Sequence, residues 1–141
     1  MKKSILFLCN MNSVRSPMAA ALLRLNGNGE FATDSAGIYE GGLDPFVEIV
    51  MKELGVSMDL HEPKELSSID ISKFDTVIAL TPEAAIEARK FLPHDGIEFW
   101  DIENPSEERG GRDAILESYR NVRNELANRL ADRFPEFHEK P

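Results

Sequence analysis

Apolar residues in this chain fall into short unbroken runs separated by longer stretches of helical spacing. Ile5-Leu6-Phe7-Leu8 is one such run, and Met18-Ala19-Ala20-Ala21-Leu22-Leu23-Arg24-Leu25 beyond it is built of helix formers, so the N-terminal segment predicts a strand, a short loop and a helix. Asn26-Gly27-Asn28-Gly29 stops that helix, and 31–37 predicts a second strand. Residues 45–55 carry Phe46, Val47, Ile49, Val50 and Leu54 at helical spacing and close on Gly55, which predicts a second, amphipathic helix. Between His61 and Ser72 the pattern supports only one or two brief helical turns. Residues 74–80 form a β-branched run without strict alternation, as in a strand buried on both faces of a parallel sheet. Thr81 then reads as an N-cap and Pro82 as the first position of a third helix that runs to Leu92 before Pro93. Residues 97–100 predict a short fourth strand. From Gly111 onward Ile115, Tyr119, Val122, Leu126 and Leu130 mark the buried stripe of a long last helix, with Glu117, Arg120, Arg123, Asn124 and Asn128 on its solvated face. Strand followed by helix, four times over, predicts an α/β fold: a four-stranded parallel sheet with helices on both faces. Ligands of such folds sit at the carboxyl ends of the strands.

Composition narrows this picture. A chain of 141 residues, 42% hydrophobic, suffices for one domain spanning 1–141. No run approaches the ~18 apolar residues of a membrane span, and the run after Met1-Lys2-Lys3 is too short for a signal peptide, so a cytoplasmic location is expected. The net charge of −9 and pI of about 4.8 argue against a nucleic-acid or anionic-membrane surface, which needs a basic face. The sequence has one cysteine, which can form neither an internal disulfide nor a multi-cysteine metal site; no cofactor or metal is implied.

That cysteine lies in the most informative stretch, Cys9-Asn10-Met11-Asn12-Ser13-Val14-Arg15-Ser16-Pro17, between the first strand and the first helix. Ser16 reads as an N-cap and Pro17 as the first helical position. Loop amides and the positive end of the helix macrodipole then converge on one place, a ready receptor for an oxyanion. A helix N-terminus beside an arginine favours the thiolate, the reactive form of cysteine, and the Arg15 fork can grip two oxyanion oxygens at once.

These residues resemble the Cys-x-Gly-Asn-x-Cys-Arg-Ser-Pro signature of low-molecular-weight protein tyrosine phosphatases and their arsenate-reductase relatives. Cys9, Asn12, Arg15, Ser16 and Pro17 match. Met11 stands where that pattern has Gly, so a left-handed backbone there would be strained. Val14 stands where many members have a second Cys, which removes a redox partner. The resemblance implies a phosphatase P-loop after the first strand, a cysteinyl-phosphate on Cys9, and Arg15 with the loop residues Asn10, Met11, Asn12, Ser13 and Val14 around the phosphoryl oxygens. Asn12 would fix the curl of the loop and Ser16 would donate to the thiolate. Ser35-Ala36-Gly37 resembles the end of the family's second strand, followed by a variable loop in which Tyr39 is expected to wall the aryl slot. No role is expected for His61, His94 or His138.

A thiolate phosphatase also needs a proton donor for the leaving oxygen. The family supplies an Asp in an Asp-Pro loop after the fourth strand, but here the residue before Pro105 is Asn104. Asp101 and Glu103 are the nearby carboxylates, and Asp101 is preferred. The leading expectation is hydrolysis of a phosphorylated protein or small phosphomonoester. The alternatives are arsenate reduction with an external thiol, since one cysteine cannot resolve itself, and an oxyanion-binding regulatory module with weakened turnover.

Overall fold

The alternation of side chains across β1 (Lys3–Cys9) divides the protein into two layers. Ile5 and Phe7 point into one apolar cluster, Leu6 and Leu8 into the other, and all four are essentially inaccessible. The computed structural model describes residues 2–59, 61–93 and 96–138, so His94 lies outside the described residues. The remaining elements are α1 (Arg15–Asn26), β2 (Phe31–Gly37), α2 (Pro45–Lys52), β3 (Thr76–Ala79), α3 (Pro82–Ala88), β4 (Ile97–Phe99) and α4 (Arg112–Arg133), with 3-10 turns at Leu66–Ser68, Ile71–Lys73 and Pro105–Glu107.

All strands are parallel in the order β2-β1-β3-β4, the α/β architecture that the hydrophobic pattern predicts. Helices α1, α2 and α4 cover the face of Ile5, Phe7, Ile78 and Leu80. Helix α3 and the two 3-10 turns before β3 cover the face of Leu6, Leu8, Val77 and Ala79. The order places β1 inside the sheet, between β2 and β3, so the loop after Cys9 opens where strand order reverses.

Helix boundaries depart from the sequence pattern where tertiary contacts intervene. Helix α2 ends at Lys52, and Gly55 turns the chain with φ +75°, leaving Leu54 exposed rather than on the apolar stripe. Helix α3 stops at Ala88 and continues as a turn. On α4, Leu116 and Ala127 join Tyr119, Val122, Leu126 and Leu130 in the core, whereas Ile115 is only partly buried. Arg123, expected on the solvated face, is buried: its guanidinium donates to the Val50 carbonyl at 2.8 Å and to Glu53 at 2.8 Å, so it tacks α4 onto α2. Arg120 grips the same carboxylate, which is held down at about 2 by its hydrogen bonds to Arg120 and Arg123. Asp44 caps α2 by accepting from Phe46 N and also accepts the Tyr119 hydroxyl. Burial, then this carboxylate, pushes the Tyr119 phenol well above its ordinary range.

Candidate active site

Residues 10–14 have no regular structure, yet their backbone polar groups are sorted with unusual consistency. Five carbonyls of residues 9–14 accept from backbone amides: Cys9 O from Ile38 N (3.1 Å), Asn10 O from Tyr39 N (2.8 Å), Met11 O from Gly41 N (2.8 Å), Ser13 O from Asp44 N (3.1 Å) and Val14 O from Met18 N (3.2 Å). The sixth, Asn12 O, lies 3.1 Å from His61 Nε2; a carbonyl only accepts, so this nitrogen carries a proton. Burial is the main influence on the His61 ring and lowers its proton affinity, with the Asn12 carbonyl opposing. Segment 38–44 therefore runs along the loop and turns its carbonyls outward. Among the described residues, no N–H of residues 10–14 donates to a protein acceptor. A loop with its acceptors engaged and its donors free is an anion receptor.

The left-handed residue of this loop is Asn12 at φ +54°, not Met11, so the Met in the family's Gly position carries no backbone strain. Asn tolerates that conformation because its short side chain bonds locally. Asn12 is fully buried; its Oδ1 accepts from Lys64 N at 2.9 Å and its Nδ2 donates to Ser16 Oγ at 2.9 Å. Ser16 Oγ in turn lies 3.0 Å from Cys9 Sγ, with the Ala36 carbonyl farther away at 3.4 Å. The hydroxyl has one proton, and with a thiolate present the nearer sulfur takes it. Lys64 N, Asn12, Ser16 and Cys9 thus form one directed chain of donors ending at sulfur.

Ser16 is not the N-cap of α1. Val14 occupies that position without a side-chain cap bond, and Ser16 and Pro17 lie in the first turn. The first four amides of a helix have no intrahelical acceptor, so Pro17 loses nothing there and the Ser16 hydroxyl is free for sulfur. Cys9 is 2% exposed at the end of β1, facing the start of α1.

Arg15, the first residue of α1, donates from Nη1 to Ile102 O at 3.1 Å. Its Nε is buried without a partner, a further donor held for an acceptor. Arg15 therefore links the oxyanion loop to the loop after β4. There Ile102 is buried, and the flanking Asp101 and Glu103 are exposed one residue to either side. Asn104 is committed elsewhere: Oδ1 accepts from Ser106 N at 3.1 Å and Ser106 Oγ at 2.7 Å, capping the 3-10 turn. Glu103 lines an acidic groove along α4 with Glu107, Glu108 and Glu117.

Tyr39 is 61% exposed and Met11 44% exposed; Met11 packs beside Gly41, where an added Cβ would lie 3.2 Å from the Met11 side chain. Residues whose roles the sequence did not reveal are those that brace the loop from outside: Gly37, Lys64, His61, and Thr81, whose Oγ1 donates to Asn10 Oδ1 at 2.7 Å. Thr81-Pro82, like Asp44-Pro45, carried the local signal of an N-cap followed by Pro, which marks a helix start but not a bond to the loop. Among the described residues, His138 makes one bond, from its backbone N to Asn26 O.

Comparison with known proteins identifies this architecture. The family model for low molecular weight phosphotyrosine protein phosphatase matches residues 4–140. The chain belongs to this family. Among similar relatives, an arsenate reductase of Bacillus subtilis is 32% identical over 130 residues, covering 92% of this chain and 94% of that protein. A glutaredoxin arsenate reductase of Synechocystis is 25% identical over 128 residues, covering 91% and 93%. Among solved structures, the low molecular weight protein tyrosine phosphatase from T. tengcongensis has a TM-score of 0.82 at 22% identity, covering 96% of this chain and 100% of that one. An arsenate reductase in the phosphate binding state has a TM-score of 0.76 at 24% identity, covering 96% and 99%. These last two likenesses concern the fold.

Proposed function

We propose that the chain is a phosphomonoesterase of the tyrosine phosphatase type that works through a cysteinyl-phosphate on Cys9. The observation that carries this is the sorting of the loop's polar groups: acceptors engaged, amides and Arg15 Nε free, and a thiol at the centre with a hydroxyl donor 3.0 Å away. The substrate phosphoryl oxygens take the free amides and the Arg15 fork, which places phosphorus in line with Sγ. The S–P bond forms as the bond to the leaving oxygen breaks, and Asp101 gives that oxygen a proton. Water then attacks phosphorus, Asp101 takes its proton back, and Cys9 leaves as thiolate with Ser16 supporting the charge. Asp101 is chosen over Glu103 because Glu103 belongs to the acidic groove on α4, and over Asn104 because an amide cannot cycle a proton. A phosphorylated protein or small phosphomonoester fits the site, and the reactive unpaired thiol suits the reducing cytoplasm.

The names of the relatives favour a second reading, reduction of arsenate, which shares phosphate's shape and charge. The Cys9 thiolate would displace hydroxide from arsenic. An external thiol would then attack Sγ, breaking the S–As bond with its electron pair passing to arsenic, and leave a mixed disulfide for a second thiol to reduce. No second cysteine exists in the sequence to do this internally.

The test compares kcat/KM on phosphotyrosine and on a phosphate ester of a very acidic phenol, in wild type, Asp101→Asn, Glu103→Gln and Asn104→Asp. Asp101→Asn lowers the phosphotyrosine rate by roughly 10²–10⁴ and the activated ester far less. An unchanged ratio in Asp101→Asn removes it from the mechanism. Cys9→Ser abolishes turnover while phosphate still binds; residual turnover overturns the covalent route. Turnover of arsenate with glutathione or glutaredoxin, without phosphatase activity, selects the second reading.

A further inference from the structure

We propose that Thr81 is a positioning residue of the oxyanion loop, acting through Asn10. This rests on the reading of the loop as an oxyanion receptor. Thr81 is 2% exposed at the turn between β3 and α3. Its Oγ1 accepts from Ala84 N at 3.0 Å, the ordinary duty of an N-cap, and lies 2.7 Å from Asn10 Oδ1. The hydroxyl has a single proton, and an amide oxygen only accepts, so that proton goes to Asn10. Capping alone asks only for an acceptor. The bond to Asn10 asks for a donor as well.

The link matters because of where Asn10 sits. It is the first residue after the thiol, and its carbonyl is held from the opposite side by Tyr39 N at 2.8 Å. Thr81 and Tyr39 therefore clamp Asn10 between β3 and the segment after β2, which fixes the plane of the first peptide in the loop. The other end of the loop depends on the same turn: Leu80 N donates to Leu8 O at 2.8 Å, Leu80 O accepts from Ile102 N at 3.2 Å, and Ile102 O accepts from Arg15 Nη1 at 3.1 Å. Leu80 and Thr81, adjacent in sequence, thus anchor both flanks of the receptor, Asn10 through a side chain and Arg15 through the backbone. Thr81 touches neither sulfur nor the oxyanion, and its effect passes through Asn10.

Calorimetric titration with inorganic phosphate, alongside thermal unfolding, tests this in wild type, Thr81→Val, Thr81→Ser, Asn10→Ala and the double variant Thr81→Val/Asn10→Ala. Loss of one buried hydrogen bond predicts phosphate affinity lower by roughly 3- to 10-fold in Thr81→Val and in Asn10→Ala, and no lower in the double variant than in the weaker single one. Thr81→Ser keeps the hydroxyl and binds as wild type does. Asn10→Ala leaves the α3 cap intact, so its loss of affinity comes without the loss of thermal stability expected of Thr81→Val. If Thr81→Val lowers stability but binds phosphate as wild type does, or if the two single effects simply add, Thr81 is only a cap and the proposal fails. Should Thr81→Val not fold, wild-type affinity in Asn10→Ala or weakened affinity in Thr81→Ser overturns it equally. A wild-type protein that binds no phosphate removes the receptor reading itself, whereas binding that is indifferent to these variants removes only the role of Thr81.

Discussion

Replacing Gly37 by alanine probes the site from behind, through backbone contacts with the loop rather than through the thiol or the guanidinium. A Cβ at Gly37 would lie 2.6 Å from Asn12 N, 2.6 Å from Tyr39 O and 2.8 Å from Asn10 O. All three are backbone atoms that no rotamer change can move. Ordinary contact begins near 3.4 Å, so relief takes a shift of about 0.8 Å, the difference between 3.4 and 2.6 Å. That shift must come from the oxyanion loop or from β2, whose end is held by Gly37 N to Lys64 O at 2.9 Å and by pairing with Cys9. Overpacking of this kind costs about 1–3 kcal/mol in stability, and displacement of catalytic groups by about 1 Å costs up to ~10²-fold in rate. Gly42 is the control, since a Cβ there meets nothing within 4 Å. Gly37→Ala is therefore expected to melt several degrees lower, to lose roughly 10- to 100-fold in kcat/KM on an aryl phosphate, and to bind phosphate more weakly, with Gly42→Ala unchanged in all three. Wild-type phosphate affinity and kcat/KM in Gly37→Ala would refute the claim that contact across β2 sets the loop.

Arg15→Lys keeps the charge but loses the fork and the buried Nε donor, so phosphate affinity and kcat fall together; a variant matching wild type by titration and steady-state kinetics would place Arg15 outside the site. Glu53, held at about 2 by Arg120 and Arg123, contributes stability that is complete above its ordinary value of 4.5 and drains away as pH falls towards 2. Its carboxylate is one-third open to solvent, so the effect is about 1 kcal/mol or less, read as a difference in urea midpoint between wild type and Glu53→Gln that is present at pH 6 and gone near pH 2. Tyr119→Phe leaves one Asp44 oxygen without its partner and is expected to cost about 1–3 kcal/mol in denaturant unfolding, with little effect on kcat.

The parts of this molecule that were legible in sequence are those with short-range causes. The period of the apolar runs gave four strands and four helices, because residues 5–8 and 77–80 are buried by neighbours on both faces and have no polar side to show. The Cys-x5-Arg spacing located the thiol, the guanidinium and the helix mouth together. What stayed hidden is what crosses the fold. Thr81 reaches Asn10 across 71 residues and Lys64 reaches Asn12 across 52, and such pairs leave no trace in local pattern. Ser16 shows the limit of a local rule: serine before proline at a helix start reads as a cap, yet here the sulfur one strand away claims its hydroxyl. Arg123 looked solvated by its place on the α4 wheel and is buried because α2 ends against it and offers both a carbonyl and a carboxylate.

The outward-turned carbonyls have a consequence for selectivity. A cradle whose curvature is set by residues 38–44 and by His61, rather than by its guest, is complete before anything enters it. Such a cradle greets a free oxyanion on nearly the same terms as the oxyanion end of a larger molecule, because it meets only the part they share. If the chain is the phosphomonoesterase proposed above, inorganic phosphate is its product and competes with the ester for the same cradle, so the rate follows the ratio of ester to phosphate more than the amount of ester alone. Preference among guests has to be expressed outside the cradle, and if the exposed Met11 and Tyr39 wall an aryl slot, as the family resemblance implies, they would favour a bulky apolar group over none. In that case, trimming Met11 and Tyr39 would leave affinity for the bare anion intact and erase any advantage of an aryl ester.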